Sequence, residues 1–270
     1  VVGHLGPINH TNGVLIANGR VYATNQDPDT LLAFDLDSLK QVAAIPVGKG
    51  PDGALYDADS HRAFVANEED KTVTAIDIDA NKPVFTADLG GAPEFLAAAG
   101  GKLYVNIKDR REVVRIDIAS GKLDAHWPIP DCESPHGLAV DPVTHRLFSS
   151  CVNAKMMVLD TDNGQIVASL PIGKHTDAAA FDPKRKLAFS SNGEGTLSVI
   201  AEKSAGEFVS LGEVSTAPGA RTMALDPDSG RIFLVTADSA AADSAEDGGK
   251  PARLKVVPGS FKMLFLDPAK

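Results

Sequence analysis

A run of β-branched and aromatic residues closing on Asn, Cys or Thr returns six times along this chain. The copies are Val21-Tyr22-Ala23-Thr24-Asn25, Ala63-Phe64-Val65-Ala66-Asn67, Leu103-Tyr104-Val105-Asn106, Leu147-Phe148-Ser149-Ser150-Cys151, Leu187-Ala188-Phe189-Ser190-Ser191-Asn192 and Ile232-Phe233-Leu234-Val235-Thr236. Their starts lie about 40 to 45 residues apart, a period that marks a repeat architecture in which each unit is one supersecondary module.

Four strands can be marked in a single period. In the third, Glu94-Phe95-Leu96-Ala97-Ala98 leads through Gly100-Gly101 to Lys102-Leu103-Tyr104-Val105-Asn106. Val113-Val114-Arg115-Ile116-Asp117 and Leu123-Asp124-Ala125-His126-Trp127 follow, with Gly, Asp, Asn and Pro at turn spacing between the runs. Helical periodicity is nowhere sustained. Four short antiparallel strands per repeat predict the blade of a β-propeller, where radial repetition hides most sheet edges. The expectation is an all-β chain, a single domain over residues 1–270, with six four-stranded blades. Runs rich in small residues, such as Gly53-Ala54-Leu55-Tyr56 and Ala178-Ala179-Ala180-Phe181, are expected to be inner strands crowded near the axis.

The ends add a second expectation. The sixth repeat offers Thr222–Asp226, Arg231–Thr236 and Phe261–Leu266 but no outer strand, whereas Val1-Val2-Gly3-His4-Leu5 has the form of one. Pairing that segment with the last blade would complete six four-stranded blades; otherwise a seventh blade is missing. Ala237 to Arg253 has almost no apolar periodicity and reads as a long loop, either a solvated insertion or a lid.

Composition narrows the function classes. With 270 residues and 43% apolar content the chain can bury a full core. Aromatic residues make up 6% and Trp127 is the single Trp, so stacking platforms for bases or sugars are scarce. A net charge of -10 opposes nucleic-acid backbones, whose non-specific affinity comes from Lys and Arg. No stretch approaches the roughly 18 to 20 apolar residues of a membrane span. The chain starts at Val1 rather than Met, so an upstream segment such as a signal peptide is expected to have been removed or not supplied, and the N-terminus leaves the compartment undecided. Cys132 and Cys151 flank one expected hairpin, whose antiparallel pairing brings the end of its second strand back to the loop before its first. A disulfide is expected there; two unrelated thiols are the alternative. Neither CxxC nor CxxCH occurs, so thioredoxin-type chemistry and c-type haem attachment have no support.

Five segments carry a resemblance: Ile45-Pro46-Val47-Gly48 with Gly50-Pro51-Asp52-Gly53, Leu89-Gly90-Gly91-Ala92-Pro93-Glu94-Phe95, Trp127-Pro128-Ile129-Pro130, Leu170-Pro171-Ile172-Gly173-Lys174, and Gly219-Ala220-Arg221-Thr222-Met223-Ala224-Leu225-Asp226. In this order and spacing the chain resembles the YVTN-repeat, YncE-like β-propeller family over essentially its whole length. The resemblance implies a propeller, typically seven-bladed, exported to the periplasm or secreted, in a family where most members lack an assigned reaction. Six readable blades are the departure from that pattern.

A propeller channel collects one residue per blade from the position just before each inner strand. Taken in order, that position gives Asn12, Asp52, Glu94, His136, Asp177 and Arg221, so three carboxylates, an imidazole and a guanidinium are expected around one funnel. Asp52, Glu94, His136 and Asp177 form a candidate set for a divalent cation: carboxylates alone favour Ca²⁺ or Mg²⁺, and an imidazole shifts preference toward Zn²⁺, Mn²⁺ or iron. The bland alternative is mutual ion pairing, with Arg221 neutralising Asp177 or Glu94. His10, His175 and Glu133 lie close enough in sequence to enlarge the set. Lys108, Arg110 and Arg111 form a compact basic patch able to meet an anion, or a solvated turn. Asn25, Asn67, Asn106, Asn153 and Asn192 suit turn-stabilising roles, as do Asp35, Asp77, Asp117 and Asp160 at the ends of third strands. Glycine-rich segments lack the strand-to-helix context of a phosphate loop, and no Ser-His-Asp set has nucleophile-elbow spacing.

The leading functional expectation is an exported, non-catalytic propeller binding a protein or small anionic ligand through its channel face. A metal-dependent hydrolase or lactonase, with His136 or Glu94 as general base, is the alternative. Single-stranded nucleic-acid binding is a third reading, disfavoured by the net charge, and an accessory role to a redox enzyme ranks below it. No cofactor is indicated beyond a divalent ion.

Overall fold

Blade 1 is built from Val14–Ala17, Arg20–Gln26, Asp29–Asp35 and Gln41–Pro46 in a computed structural model that describes residues 3–240 and 255–268. Blade 2 comprises Pro51–Asp57, Arg62–Asn67, Thr72–Asp77 and Lys82–Asp88, and blade 3 comprises Pro93–Ala99, Lys102–Ile107, Glu112–Asp117 and Leu123–Pro128. Blade 4 has Pro135–Asp141, Arg146–Cys151, Lys155–Asp160 and Ile166–Pro171; blade 5 has Thr176–Asp182, Leu187–Asn192, Thr196–Ser204 and Glu207–Ser215. Blade 6 joins Thr222–Leu225, Ile232–Thr236 and Lys262–Leu266, and a two-stranded hairpin of Ser239–Ala240 with Lys255–Val256 stands beside the six sheets. All pairings are antiparallel and meander outward from the inner strand, so the chain is an all-β, six-bladed propeller with no helix among the described residues.

Burial explains why the second strands read so clearly. Blades 2 to 5 are covered on both faces by their neighbours, so Ala63–Asn67 is buried at every position, as are Leu147–Cys151 and Ala188–Asn192. Outer strands meet protein on one face only. Gln41–Pro46 and Ile166–Pro171 therefore bury alternate residues, ending on Ile45 and Leu170. The core is a series of five clusters, one between each pair of successive blades; Phe64, Leu89 and Ile116 lie in the one joining blades 2 and 3, and Trp127, Leu138 and Leu159 in the next.

The N-terminal expectation is corrected. Gly3 to Leu5 form no strand, and a Cβ on Gly3 would collide with Leu39 of blade 1, so the described part of this segment runs over the first blade and not the last. The apolar side chains of Leu5 and Ile8 are half-buried there, which gives the segment a reason to lie down where it does. Blade 6 accordingly has three strands among the described residues. Val1, Val2 and most of the expected loop, residues 241–254, lie outside the described residues.

Candidate functional site

Asp52, Glu94, His136 and Asp177 are each the second residue of an inner strand, in blades 2 to 5. At each of these places the ladder slips. Pro51 pairs with Asn67 and Ala54 with Val65, so three steps on the inner strand oppose two on its partner. The same shift separates Pro93 from Leu96, Pro135 from Leu138 and Thr176 from Ala179. A bulge of this kind bends the strand and re-aims the side chain within it. Blades 1 and 6 have no such shift, and their corresponding residues, Asn12 and Arg221, precede the strand and are exposed. Glycine permits the crowding: a Cβ on Gly53 would stand 2.9 Å from the Glu94 carbonyl oxygen, and one on Gly13 would stand 2.5 Å from that of Asp52.

These four bulged positions come together. Donor atoms of Glu94, His136 and Asp177 lie within 4.8 Å of one another, and so do those of Asp52, Glu68 and Glu94. His136 Nε2 is 3.7 Å from Glu94 Oε1, and Arg221 Nε is 3.9 Å from Asp177 Oδ2. Lys108 bridges two carboxylates, 2.7 Å from Glu68 Oε1 and 2.8 Å from Glu94 Oε2. His136 Nδ1 lies 2.8 Å from the Ser134 carbonyl oxygen, an acceptor only, so Nδ1 carries a proton and Nε2 is the ring nitrogen turned toward the carboxylates. The Cys132–Cys151 disulfide forms as expected, with Cα atoms 5.2 Å apart, and clamps the loop that leads to His136 onto the second strand of blade 4.

Four carboxylates against Lys108 and Arg221 leave this pocket negative when His136 is neutral. The consequence shows at Asp52, whose pKa is pushed up to about 6, first by burial and then by Glu94 and Glu68, with Lys108 opposing. Either donor set is chemically able to hold one cation; the set containing His136 suits a borderline metal, the all-carboxylate set a hard one.

Several other sequence expectations resolve here. Lys108, Arg110 and Arg111 do not assemble into one anion patch. Lys108 turns inward to its two glutamates; Arg110 donates to the Gly90 carbonyl at 2.7 Å and pairs with Glu112; Arg111 occupies a turn with φ 51°. His10, His175 and Glu133 do not join either donor group. The asparagines serve the backbone and turns: Asn25 donates to Pro28 O, Asn106 to His136 O, Asn153 to Asp131 O, and Asn67 and Asn192 to the Thr hydroxyls of the next strand. Asp35, Asp77, Asp117 and Asp160 each accept from backbone N–H groups two or three residues on, as rim turns require. Glu68 as a site residue was not anticipated, and Lys108, expected in an anion patch, instead pairs with Glu68 and Glu94. Each directly follows a second strand, and the pairings Pro51 with Asn67 and Pro93 with Ile107 show that they hold equivalent places.

No protein-family model matches the chain, and no curated protein matches it. Among solved structures, a chain of Kuenenia stuttgartiensis hydrazine synthase is similar, with a TM-score of 0.70 and 15% identity over 87% of this chain and 76% of that one. At that identity the likeness speaks for the β-propeller fold alone.

Proposed function

We propose that this protein is a ligand-binding propeller whose channel mouth captures a cation, a divalent metal ion or a cationic group of a larger ligand. One observation carries the reading: Glu94, His136 and Asp177, from three successive blades, bring their donor atoms within 4.8 Å of one another at inner-strand bulges found in blades 2 to 5 but in the inner strand of neither end blade. This replaces the anionic ligand expected from sequence, because Lys108 is already spent on Glu68 and Glu94. The same pairing removes the basic patch that single-strand nucleic-acid binding would use. The resemblance to the YVTN-repeat, YncE-like family supports a binding role in an exported protein, and the Cys132–Cys151 disulfide supports an oxidising compartment, periplasmic or extracellular.

A hydrolase reading stands second, favoured by Asp52. A carboxyl that titrates near 6 beside a cation site is placed to exchange protons with a bound substrate. Calorimetric titration of chelator-treated protein with Zn²⁺, Mn²⁺ and Ca²⁺ tests the proposal. Saturable one-to-one binding of one of them, abolished by Glu94→Gln, is the expected result; no heat from any of the three would refute it.

A further inference from the structure

Glu94 turns its carboxylate two ways. Oε1 faces His136 Nε2 at 3.7 Å, with Asp177 completing the donor group on that side, and Oε2 faces Lys108 Nζ at 2.8 Å, with Asp52 and Glu68 completing the other. The two groups share one residue, and a cation already sits in the second of them.

The repeat explains how that cation gets there. Glu68 and Lys108 each come one residue after a second strand, and each is pinned through its backbone N–H ahead of its own blade's inner strand, Glu68 to the Gly50 carbonyl at 2.9 Å and Lys108 to that of Ala92 at 3.0 Å. Both side chains are delivered to the channel mouth, where Nζ stands 2.7 Å from Glu68 Oε1. The same backbone bond recurs in blades 4 and 5, from Val152 to the Glu133 carbonyl and from Gly193 to that of His175, but these residues carry no charge. No ammonium is sent toward the His136 group from that position. Arg221 meets Asp177 at 3.9 Å through an exposed side chain.

Charge and hydrogen bonding define what the mouth still lacks. With Asp52 ionised and His136 neutral, the four carboxylates of Asp52, Glu68, Glu94 and Asp177 outnumber Lys108 and Arg221 by two charges, the charge of one divalent ion. Glu94 Oε2 is buried and accepts no well-aligned hydrogen bond, so Lys108 neutralises it as an ion pair without saturating its lone pairs. We propose that Lys108 is the resident cation of a two-place site: its ammonium fills the place among Asp52, Glu68 and Glu94 and confines the guest to one divalent ion at Glu94, His136 and Asp177. The inference rests on the cation-binding reading above and adds where the guest sits and why one enters rather than two. Removing the ammonium should leave three carboxylates fit for a hard ion, joined to the first ion through Glu94.

The test loads chelator-treated protein with Mn²⁺ and follows it by calorimetric titration and electron paramagnetic resonance. The parent should take up one ion, with the spectrum of an isolated centre. Lys108→Met, which keeps the apolar stem and removes the charge, should take up two, with the spectrum of a spin-coupled pair. Lys108→Gln is a second neutral variant and gives the same answer where Lys108→Met fails to fold. One ion or none in the folded neutral variants, against one in the parent, overturns this inference and leaves the cation-binding reading standing. Two ions without coupling overturn the sharing of Glu94. No ion in the parent refutes the cation-binding reading itself, and this inference falls with it.

Discussion

His136 and Glu94 reach toward each other from neighbouring blades, with Nε2 3.7 Å from Oε1, while the opposite ring nitrogen of His136 is committed to the Ser134 carbonyl. That spacing is long for a hydrogen bond and suits two ligands flanking a common guest. Replacing His136 by Gln retains polarity but loses the imidazole donor. His136→Gln should therefore weaken Zn²⁺ more than Ca²⁺, with about tenfold loss for Zn²⁺ in calorimetric titration.

Asp52 makes the pocket sensitive to pH. Its pKa of about 6 in the folded protein lies above the 3.8 of a free Asp, so between these values the unfolded chain gives up its proton first and stability falls as pH rises. Asp52→Asn removes that penalty. In urea unfolding the variant should be more stable than the parent above pH 6, on the order of 1 to 2 kcal/mol, and indistinguishable near pH 4. Cation binding should strengthen through the same window in the parent, because the guest and the proton compete.

Cys132 and Cys151 tie down the loop carrying His136. The double variant Cys132→Ser with Cys151→Ser should lose about 2 to 4 kcal/mol in denaturant unfolding. Its cation affinity should drop as well, since the imidazole is then held by the Ser134 contact without the clamp. Comparison with reductant-treated parent protein checks that the crosslink and not the serine is responsible.

A second carboxyl pair lies between blades 4 and 5, at the opposite end of the inner strands. Glu202 is buried, accepts from the Thr144 hydroxyl, and faces Asp141, which Lys186 contacts at 2.8 Å. Burial and Asp141 raise the Glu202 pKa, while Lys186 and the local N–H donors hold that of Asp141 down, so of the two carboxyls Glu202 keeps its proton to the higher pH. Stability contributed by Asp141 is lost on acidification; stability tied to the Glu202 proton is lost as pH rises past the ordinary Glu value. Glu202→Gln keeps a donor toward Asp141 and should flatten that alkaline decline in thermal melts from pH 5 to 9.

The fold was legible because burial on both faces leaves unbroken apolar second strands, and six copies of one such strand at a near-constant period admit few architectures. The convergence of Asp52, Glu94, His136 and Asp177 was legible for the same reason. Their bulges were not: a register slip leaves no residue signature at Asp52-Gly53, Glu94-Phe95, His136-Gly137 or Asp177-Ala178 beyond a small residue in three of the four. Lys108 was misread because three basic residues within four positions look alike in sequence, whereas a turn sends each in its own direction. The place of the N-terminal segment depends on which apolar surface Leu5 and Ile8 reach, a contact that strand pattern alone does not encode.

Since the slips occur in blades 2 to 5 and spare the two end blades, the polar mouth is a crescent and not a circle. Whatever it holds is gripped from one side by four consecutive modules.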